Sequence, residues 1–355
     1  MIGERIQQAR KASGMSMREL AEKAGVSAMA ISKYENNKNT PSSGVLLSLS
    51  KALGVRVEYF FRQAKVELKE VEYRIHATLP KKILNKIEGD VIEQIERYFA
   101  LEEILPSNPI HAFKLPKGLK RKIENYDDVE ELANTFRKEW KLGCNPIPDL
   151  IDTFEERGIK VFLSGELQNA KFDGLAAKVD GTHVIVVDKY KPGDRQRFTL
   201  AHELGHLAIE GRLADGIDVE KAANRFAGAF LVPAKEAIKE LGESRSWLEP
   251  AELYALKHTY GLSMRGWIYR ASDLAILNRF SSRKMWEYFR ENNWVETEPG
   301  DQLAGEQPKL FRQLVFHAVA ENLISDSKAA ELLSVPIIEY RKLRKVEVSE
   351  QTAIN

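Results

Sequence analysis

The stretch Phe198-Thr-Leu-Ala-His-Glu-Leu-Gly-His206 constrains this chain more than any other. It sets His202 and His206 four residues apart, with the carboxylate of Glu203 directly after the first. In a helix that spacing stacks both imidazoles on one face, a turn apart, where two nitrogens can share one zinc ion. Glu203 then falls about 100° further round, in reach of a metal-activated water as general base. The surroundings favour a helix: Phe198, Leu200, Ala201, Leu204, Leu207, Ala208 and Ile209 are apolar, and Gly211 stands where a C-cap glycine belongs. A helix so apolar is buried, which makes His202, Glu203 and His206 polar groups inside a core. Such groups need partners. A metal ion is the simplest partner for this set; the alternative is core histidines satisfied by ordinary hydrogen bonds.

A catalytic zinc takes three protein ligands and a water. Glu210 continues the same face but lies about 12 Å along the axis from His202, too far for one straight helix. Glu220 is the better candidate. It begins a second helical pattern, Asp218 to Pro233, in which Ala223, Phe226, Ala227, Phe230 and Leu231 form one face, with Glu220 and Asn224 beside it. The small residues Ala222, Ala223, Ala227 and Gly228 let this helix approach the first closely and bring Glu220 to the metal from the opposite side. The plainer reading of Glu220 is a charge favoured at a helix N-terminus, and Asp215 and Asp218 are further alternatives. Two His and one Glu suit Zn²⁺, and also Mn²⁺ or Fe²⁺.

Arg195-Gln-Arg-Phe-Thr-Leu-Ala-His-Glu-Leu-Gly-His206, followed by Glu220-Lys-Ala-Ala-Asn-Arg-Phe-Ala227, resembles the ImmA/IrrE family of metallopeptidases. The likeness extends back to Trp140–Ile147 and forward to Gly261-Leu-Ser-Met264, and so covers about the last 230 residues, with only the metal motif specific. It implies that His202, His206 and Glu220 are metal ligands and Glu203 the base of a zinc endopeptidase. It also implies a zincin-like α+β domain whose substrate is a DNA-binding repressor protein. Ahead of the metal helix, residues 158–163, 172–179 and 183–188 read as short strands, the last two joined antiparallel through Asp180-Gly181. Such a sheet offers an edge on which an extended peptide can be held. His183 reads as a surface histidine. His258, Tyr254 and Tyr260 are candidates for oxyanion stabilisation, equally well explained by packing.

Residues 1–62 carry five short helical patterns: 2–13, 17–24, 28–34, 43–53 and 57–60. Ala21 is small where two helices cross, Gly25 permits a tight turn, and Ser27 caps the next helix. This stretch resembles the Cro/repressor (XRE) helix-turn-helix. The resemblance implies double-stranded DNA as partner, with base edges read by Ser27, Ala28, Met29, Ser32 and Lys33. Arg10, Arg18, Asn36 and Lys38 are placed for phosphates. The family commonly has glutamine where this chain has Met17, which removes one polar contact. Charge agrees: residues 1–65 hold 11 Lys and Arg against 5 Asp and Glu, a net of +6. The whole chain is only +1, so the remainder carries −5 and would not attract phosphates. A protein-interaction bundle without DNA is the other reading of this domain.

Residues 63–105 have helical periodicity through Ile83, Ile87, Val91, Ile95, Tyr98 and Phe99, suited to a spacer or to an arm that forms a homodimer. Leu105-Pro-Ser-Asn-Pro109 and residues 300–308 are breaks, and Ile324–Tyr340 has the pattern of another helix-turn-helix pair, for which packing or dimerisation is at least as good a reading as a second DNA contact. No sequence repeat is evident. No apolar run approaches 18 residues and the start lacks a signal-peptide pattern, so the expectation is a cytoplasmic protein with no membrane partner. The single cysteine, Cys144, suits that reducing compartment.

The expected architecture is multidomain and mainly α. A five-helix helix-turn-helix domain (1–62) is followed by a helical spacer and linker (63–125), the α+β zincin-like peptidase domain (126–275) and a helical carboxyl-terminal region (276–355). The expected function is a DNA-binding transcription regulator with a zinc-dependent endopeptidase, cleaving a repressor-type protein. The alternative is a non-catalytic regulator or antitoxin-like protein whose metal domain only senses or binds a partner.

Overall fold

Capping side chains set the amino-terminal helices. After α1 (Ile2–Ala12), the Ser16 hydroxyl accepts from the Glu19 amide at 3.2 Å while the Glu19 carboxylate accepts from the Ser16 amide at 2.7 Å, starting α2 (Met17–Ala24). Gly25, at φ +68°, turns the chain in the left-handed region, and Ser27 then caps α3 (Ala28–Glu35). Ser42 caps α4 (Ser43–Leu53), and a 3-10 turn over Val57–Phe61 closes the segment. Ile6, Leu20, Ile31, Leu49 and Phe60 meet in its core. The computed structural model describes residues 2–61, 81–106, 112–165, 174–179 and 181–345; the part of the sequence-expected spacer before Lys81 lies outside them.

The chain resumes in α5 (Lys81–Glu102), which packs on α1. Gly89 approaches Ala12 so closely that no β-carbon would fit. Arg5 donates to both Glu96 oxygens at 2.7 Å, a buried pair, with its guanidinium 5.2 Å from the Tyr59 ring centroid.

The next unit opens with α6 (Tyr126–Glu139) and α7 (Leu150–Glu156). Three strands follow, β1 (Lys160–Ser164), β2 (Gly174–Val179) and β3 (Thr182–Asp188), in the order β1-β3-β2. β2 runs antiparallel to β3, and β1 runs parallel to it. Phe172, Asp173 and the turn residue Asp180 lie outside the described residues. Beneath the sheet runs α8 (Gly193–Ile209), packed against α9 (Val219–Leu231). The unit is completed by α10 (Ala234–Leu241), α11 (Pro250–Tyr260), α12 (Met264–Asp273) and α13 (Arg279–Glu291). Phe136, Trp140, Phe154, Phe226 and Phe230 interlock mostly edge to face between α6, α7 and α9, contacts worth about 0.5–1.5 kcal/mol each beyond burial.

The extended stretch after α13 caps two helices that are remote in sequence. Glu306 accepts from the Leu150 and Ile151 amides at 2.8 Å and pairs with Arg197, fixing the start of α7. Glu298 accepts from the Met264 and Arg265 amides at 3.0 and 2.9 Å, and the buried Lys257 donates to it at 3.1 Å. Three further helices end the described chain: α14 (Leu310–Ala320), α15 (Asp326–Leu332) and α16 (Ile337–Lys345). These pack with the first unit. Phe311 lies 4.6 Å from Tyr98, and Arg97 donates to Leu332 O at 3.1 Å and to Ser334 Oγ at 2.7 Å.

Residues 2–61, 81–106 and 308–345 therefore form one compact unit, and the described residues from 112 to 307 form the other. This grouping differs from the four segments drawn on the sequence, because the apolar face of α5 binds both ends of the chain and the carboxylates of the 294–307 stretch bind it to α7 and α12. The architecture is mainly helical with one small sheet among the described residues. No helix among them is long and apolar enough to cross a membrane.

Candidate metal centre and nucleic-acid face

α8 carries His202 and His206 on successive turns, with Glu203 directly after the first, on a helix that is buried along most of its length. Its entry is fixed by two side chains. Gln196 donates to Asp188 O at 3.0 Å, and the buried Arg197 donates to Ile147 O at 2.7 Å. α9 approaches at Gly205, where an added β-carbon would fall 3.1 Å from Ala223 O and 3.3 Å from Ala223 Cα. The approach that small residues were expected to permit is thus made by Gly205 against Ala223, whereas Gly228 faces the Arg270 side chain. The far side of α9 is locked by Glu130 of α6, which pairs with both Arg225 and Arg270.

This packing brings together the residues that sequence spacing nominated. His202 Nε2 and His206 Nε2 are 3.0 Å apart, and the Glu220 carboxylate lies 3.5 Å from the first and 3.4 Å from the second. The three donors lie within 4.8 Å of one another, and no other such cluster of metal-ligand residues occurs among the described residues. Two ligand atoms of a tetrahedral zinc shell lie about 3.3 Å apart, given bonds of roughly 2.0–2.1 Å. All three separations are close to that value, so the donor set fits one divalent cation.

Orientation fits as well. His202 Nδ1 is 2.9 Å from Asn224 Oδ1. An amide oxygen only accepts, so Nδ1 carries the proton and the Nε2 lone pair faces the centre. The rings of His202 and His206 stand at 81° with centroids 4.6 Å apart, which aims two lone pairs at one point. His206 and Glu203 are buried, His202 is half-buried, and Glu220 is the accessible member, its side chain 44% exposed. Asp218 instead caps α9, accepting from the Lys221 amide at 2.9 Å, while Glu210 and Asp215 are exposed. Sequence spacing placed Asn224 beside the helix face without a role; its contact spans two helices and leaves no local periodicity to read.

Of the aromatic and histidine candidates, Tyr260 donates to Glu240 at 2.9 Å, and Tyr254 accepts from the Asp301 amide at 3.2 Å and meets His258 edge to face. His183 lies against the ring of Phe113. Ordinary packing accounts for all four.

On the first unit, Ser27, Met29, Lys33, Asn36 and Lys38 are exposed along and after α3, Arg18 is exposed on α2, and Ala28 and Ser32 are half-buried. Met29 is the most prominent of them, 69% exposed. Arg10, expected at a phosphate, is buried instead. It grips Glu35 at 2.5 and 2.8 Å and Met15 O at 2.9 Å, clamping the end of α3 to α1. Met17, the departure from the usual glutamine, packs against the core.

Fold and side chains together define a two-part class: a helix-turn-helix unit joined to an α+β unit with a His/His/Glu cluster on two packed helices. Comparison with known proteins makes this specific. Residues 6–60 match the helix-turn-helix family and residues 154–272 match the IrrE N-terminal-like domain family, so the chain joins an XRE-type helix-turn-helix domain to a domain of the M78 peptidase type. Curated relatives include the HTH-type transcriptional regulator SinR of Bacillus subtilis (strain 168), 50% identical over 58 residues, 16% of this chain and 52% of that protein. SinR of Bacillus licheniformis is 45% identical over 74 residues, 21% of this chain and 63% of the relative. An uncharacterized transcriptional regulator in the ATPase CF(0) region of Rhodospirillum rubrum is 40% identical over 60 residues, 17% and 56% respectively. The matched stretch spans between half and two thirds of each relative.

Proposed function

We propose that this chain is a transcription regulator that binds double-stranded DNA through α3 and cleaves a repressor-type protein with a zinc-dependent endopeptidase centre. The convergence of His202, His206 and Glu220 at 3.0, 3.4 and 3.5 Å, with Asn224 orienting His202, carries this reading. When bound, zinc supplies a polarising charge and an acidified water. The residues of the chain do the rest. His202, His206 and Glu220 hold the ion through three donors. Glu203, on the turn between the histidines, takes a proton from the attacking water on its carboxylate and returns it to the leaving amide nitrogen. Its burial keeps that carboxylate out of bulk solvent. β2 is an edge strand whose Gly174 sits directly on Thr199 of α8, so a peptide paired to that edge would run alongside the helix that bears the histidines.

The DNA-contacting set is Ser27, Ala28, Met29, Ser32 and Lys33 at base edges, with Arg18, Asn36 and Lys38 at phosphates. The substrate is a regulatory protein in the compartment that holds DNA.

The test uses full-length protein incubated with repressor proteins encoded in its genetic neighbourhood, read as new amino-terminal ends by mass spectrometry. Wild type should generate a discrete cut that Glu203→Gln slows by roughly 10²- to 10⁴-fold, while the metal stays bound. Equal cleavage by the two proteins would remove the assigned base. Cleavage by neither, with regulation of the target promoter unchanged in Glu203→Gln, would leave a metal domain that only senses or binds.

A further inference from the structure

The backbone of the first unit repeats where the sequence does not. Ser16 caps α2 by accepting from Glu19 N at 3.2 Å, and Ser325 caps α15 by accepting from Lys328 N at 3.2 Å. The turn after α2 is left-handed at Gly25, φ +68°, and the turn after α15 is left-handed at Ser334, φ +54°. Val26 N donates to Ala21 O at 3.0 Å, and Val335 N donates to Ala330 O at 3.1 Å. Leu20 and Ala21 are buried, as are Ala329 and Ala330. Ile31 anchors α3 with no exposed surface, and Tyr340 anchors α16 in the same way. Met29 and Ile338 are each 69% exposed. Every one of these pairs is separated by the same number of residues. In both cases an 11-residue helix, α1 or α14, comes first.

A non-glycine residue in the left-handed region is strained, and two arginines hold this turn in place. Arg97 bonds Ser334 Oγ and Leu332 O, and Arg56 donates to Val335 O at 2.6 Å. The geometry of a helix-turn-helix is therefore enforced at a second place in the unit.

The second helix is also chemically equipped. The positions equivalent to Ser32 and Lys33 of α3 are Arg341 and Lys342, both exposed, with Lys345 a turn beyond. Residues 308–345 hold seven Lys and Arg against four Asp and Glu, a net of +3, the same sign as the first helix-turn-helix. One departure is Pro336, which stands where Ser27 caps α3; proline suits a helix start but donates nothing to a base.

We propose that α15–α16 is a second DNA-reading head, in which Arg341 and Lys342 enter the major groove of double-stranded DNA and extend the contact made by α3. This rests on the reading of α3 as the first DNA contact. Arginine and lysine are the side chains that pair with guanine in that groove, and Ile338 offers an apolar surface to a thymine methyl.

The test takes the full-length protein, a duplex selected from a random library by the wild type, and nuclease protection with affinity measured at one fixed salt concentration. Arg341→Glu with Lys342→Glu should shorten the protected segment at one end and weaken binding roughly 10- to 100-fold. Arg341→Ala with Lys342→Ala should shorten it likewise with thermal unfolding unchanged, which separates lost contact from lost fold. An unchanged protected length and affinity in both variants, beside a loss of binding in Ser32→Ala with Lys33→Ala, would overturn the second head and leave the α3 reading standing. Undiminished binding by the Ser32 and Lys33 variant would overturn the α3 reading, and the extension with it.

Discussion

At Asn224 a single amide oxygen decides which nitrogen of His202 carries the proton. Its 2.9 Å contact with Nδ1 turns Nε2 toward His206 and Glu220, so Asn224→Ala should loosen the metal without touching a ligand. Orienting partners of this kind are worth 10- to 100-fold in affinity. We expect a loss of that size in chelator competition, with Asn224→Asp retaining most of the affinity; equal affinity in Asn224→Ala and wild type would dismiss the orienting role. His202, Glu203 and His206 were legible in the sequence because a spacing of four is a property of one helix. Asn224 was not, since its partner lies 22 positions away on another helix. Arg10 misled for a related reason. A basic side chain at the helix-turn-helix looks like a phosphate contact until Glu35, 25 positions on, is seen to hold it.

Between elements, the α8–α9 crossing sets the cluster, because His202 and His206 ride on one helix and Glu220 on the other. Gly205 is the point of closest approach. Gly205→Val should force the helices apart, costing about 1–3 kcal/mol from overpacking and weakening metal binding through the displaced Glu220. Denaturant unfolding and metal titration on the same variant measure both effects, and a change in neither would contradict the crossing as the determinant. In the first unit, Arg5→Ala should leave Glu96 buried without its pair and cost about 3–5 kcal/mol, read as a lowered unfolding midpoint. The close approach of α9 was legible from its small residues. The capping of α7 and α12 by Glu306 and Glu298 was not, because helix-start amides accept partners from any distance along the chain. The helix-turn-helix pattern of Ile324–Tyr340 was legible as well, although α15–α16 keeps only the first cap, the turn and the burial of α2–α3 while changing most side chains.

Across the whole molecule, charge separates the two tasks. Residues 1–65 carry +6 and residues 308–345 a further +3, against +1 for the whole chain, so DNA affinity should fall steeply with salt. Lys38→Ala should reduce the slope of log affinity against log salt by about one, measured by anisotropy titration; an unchanged slope would take Lys38 off the phosphates. The central claim is the metal centre itself, and metal content of the purified full-length chain tests it most directly. After zinc loading and dialysis, mass spectrometry should find about one zinc per chain in wild type and in Glu203→Gln, and almost none in His202→Ala with His206→Ala. A wild type without metal, or a double variant that keeps it in full, would contradict the account.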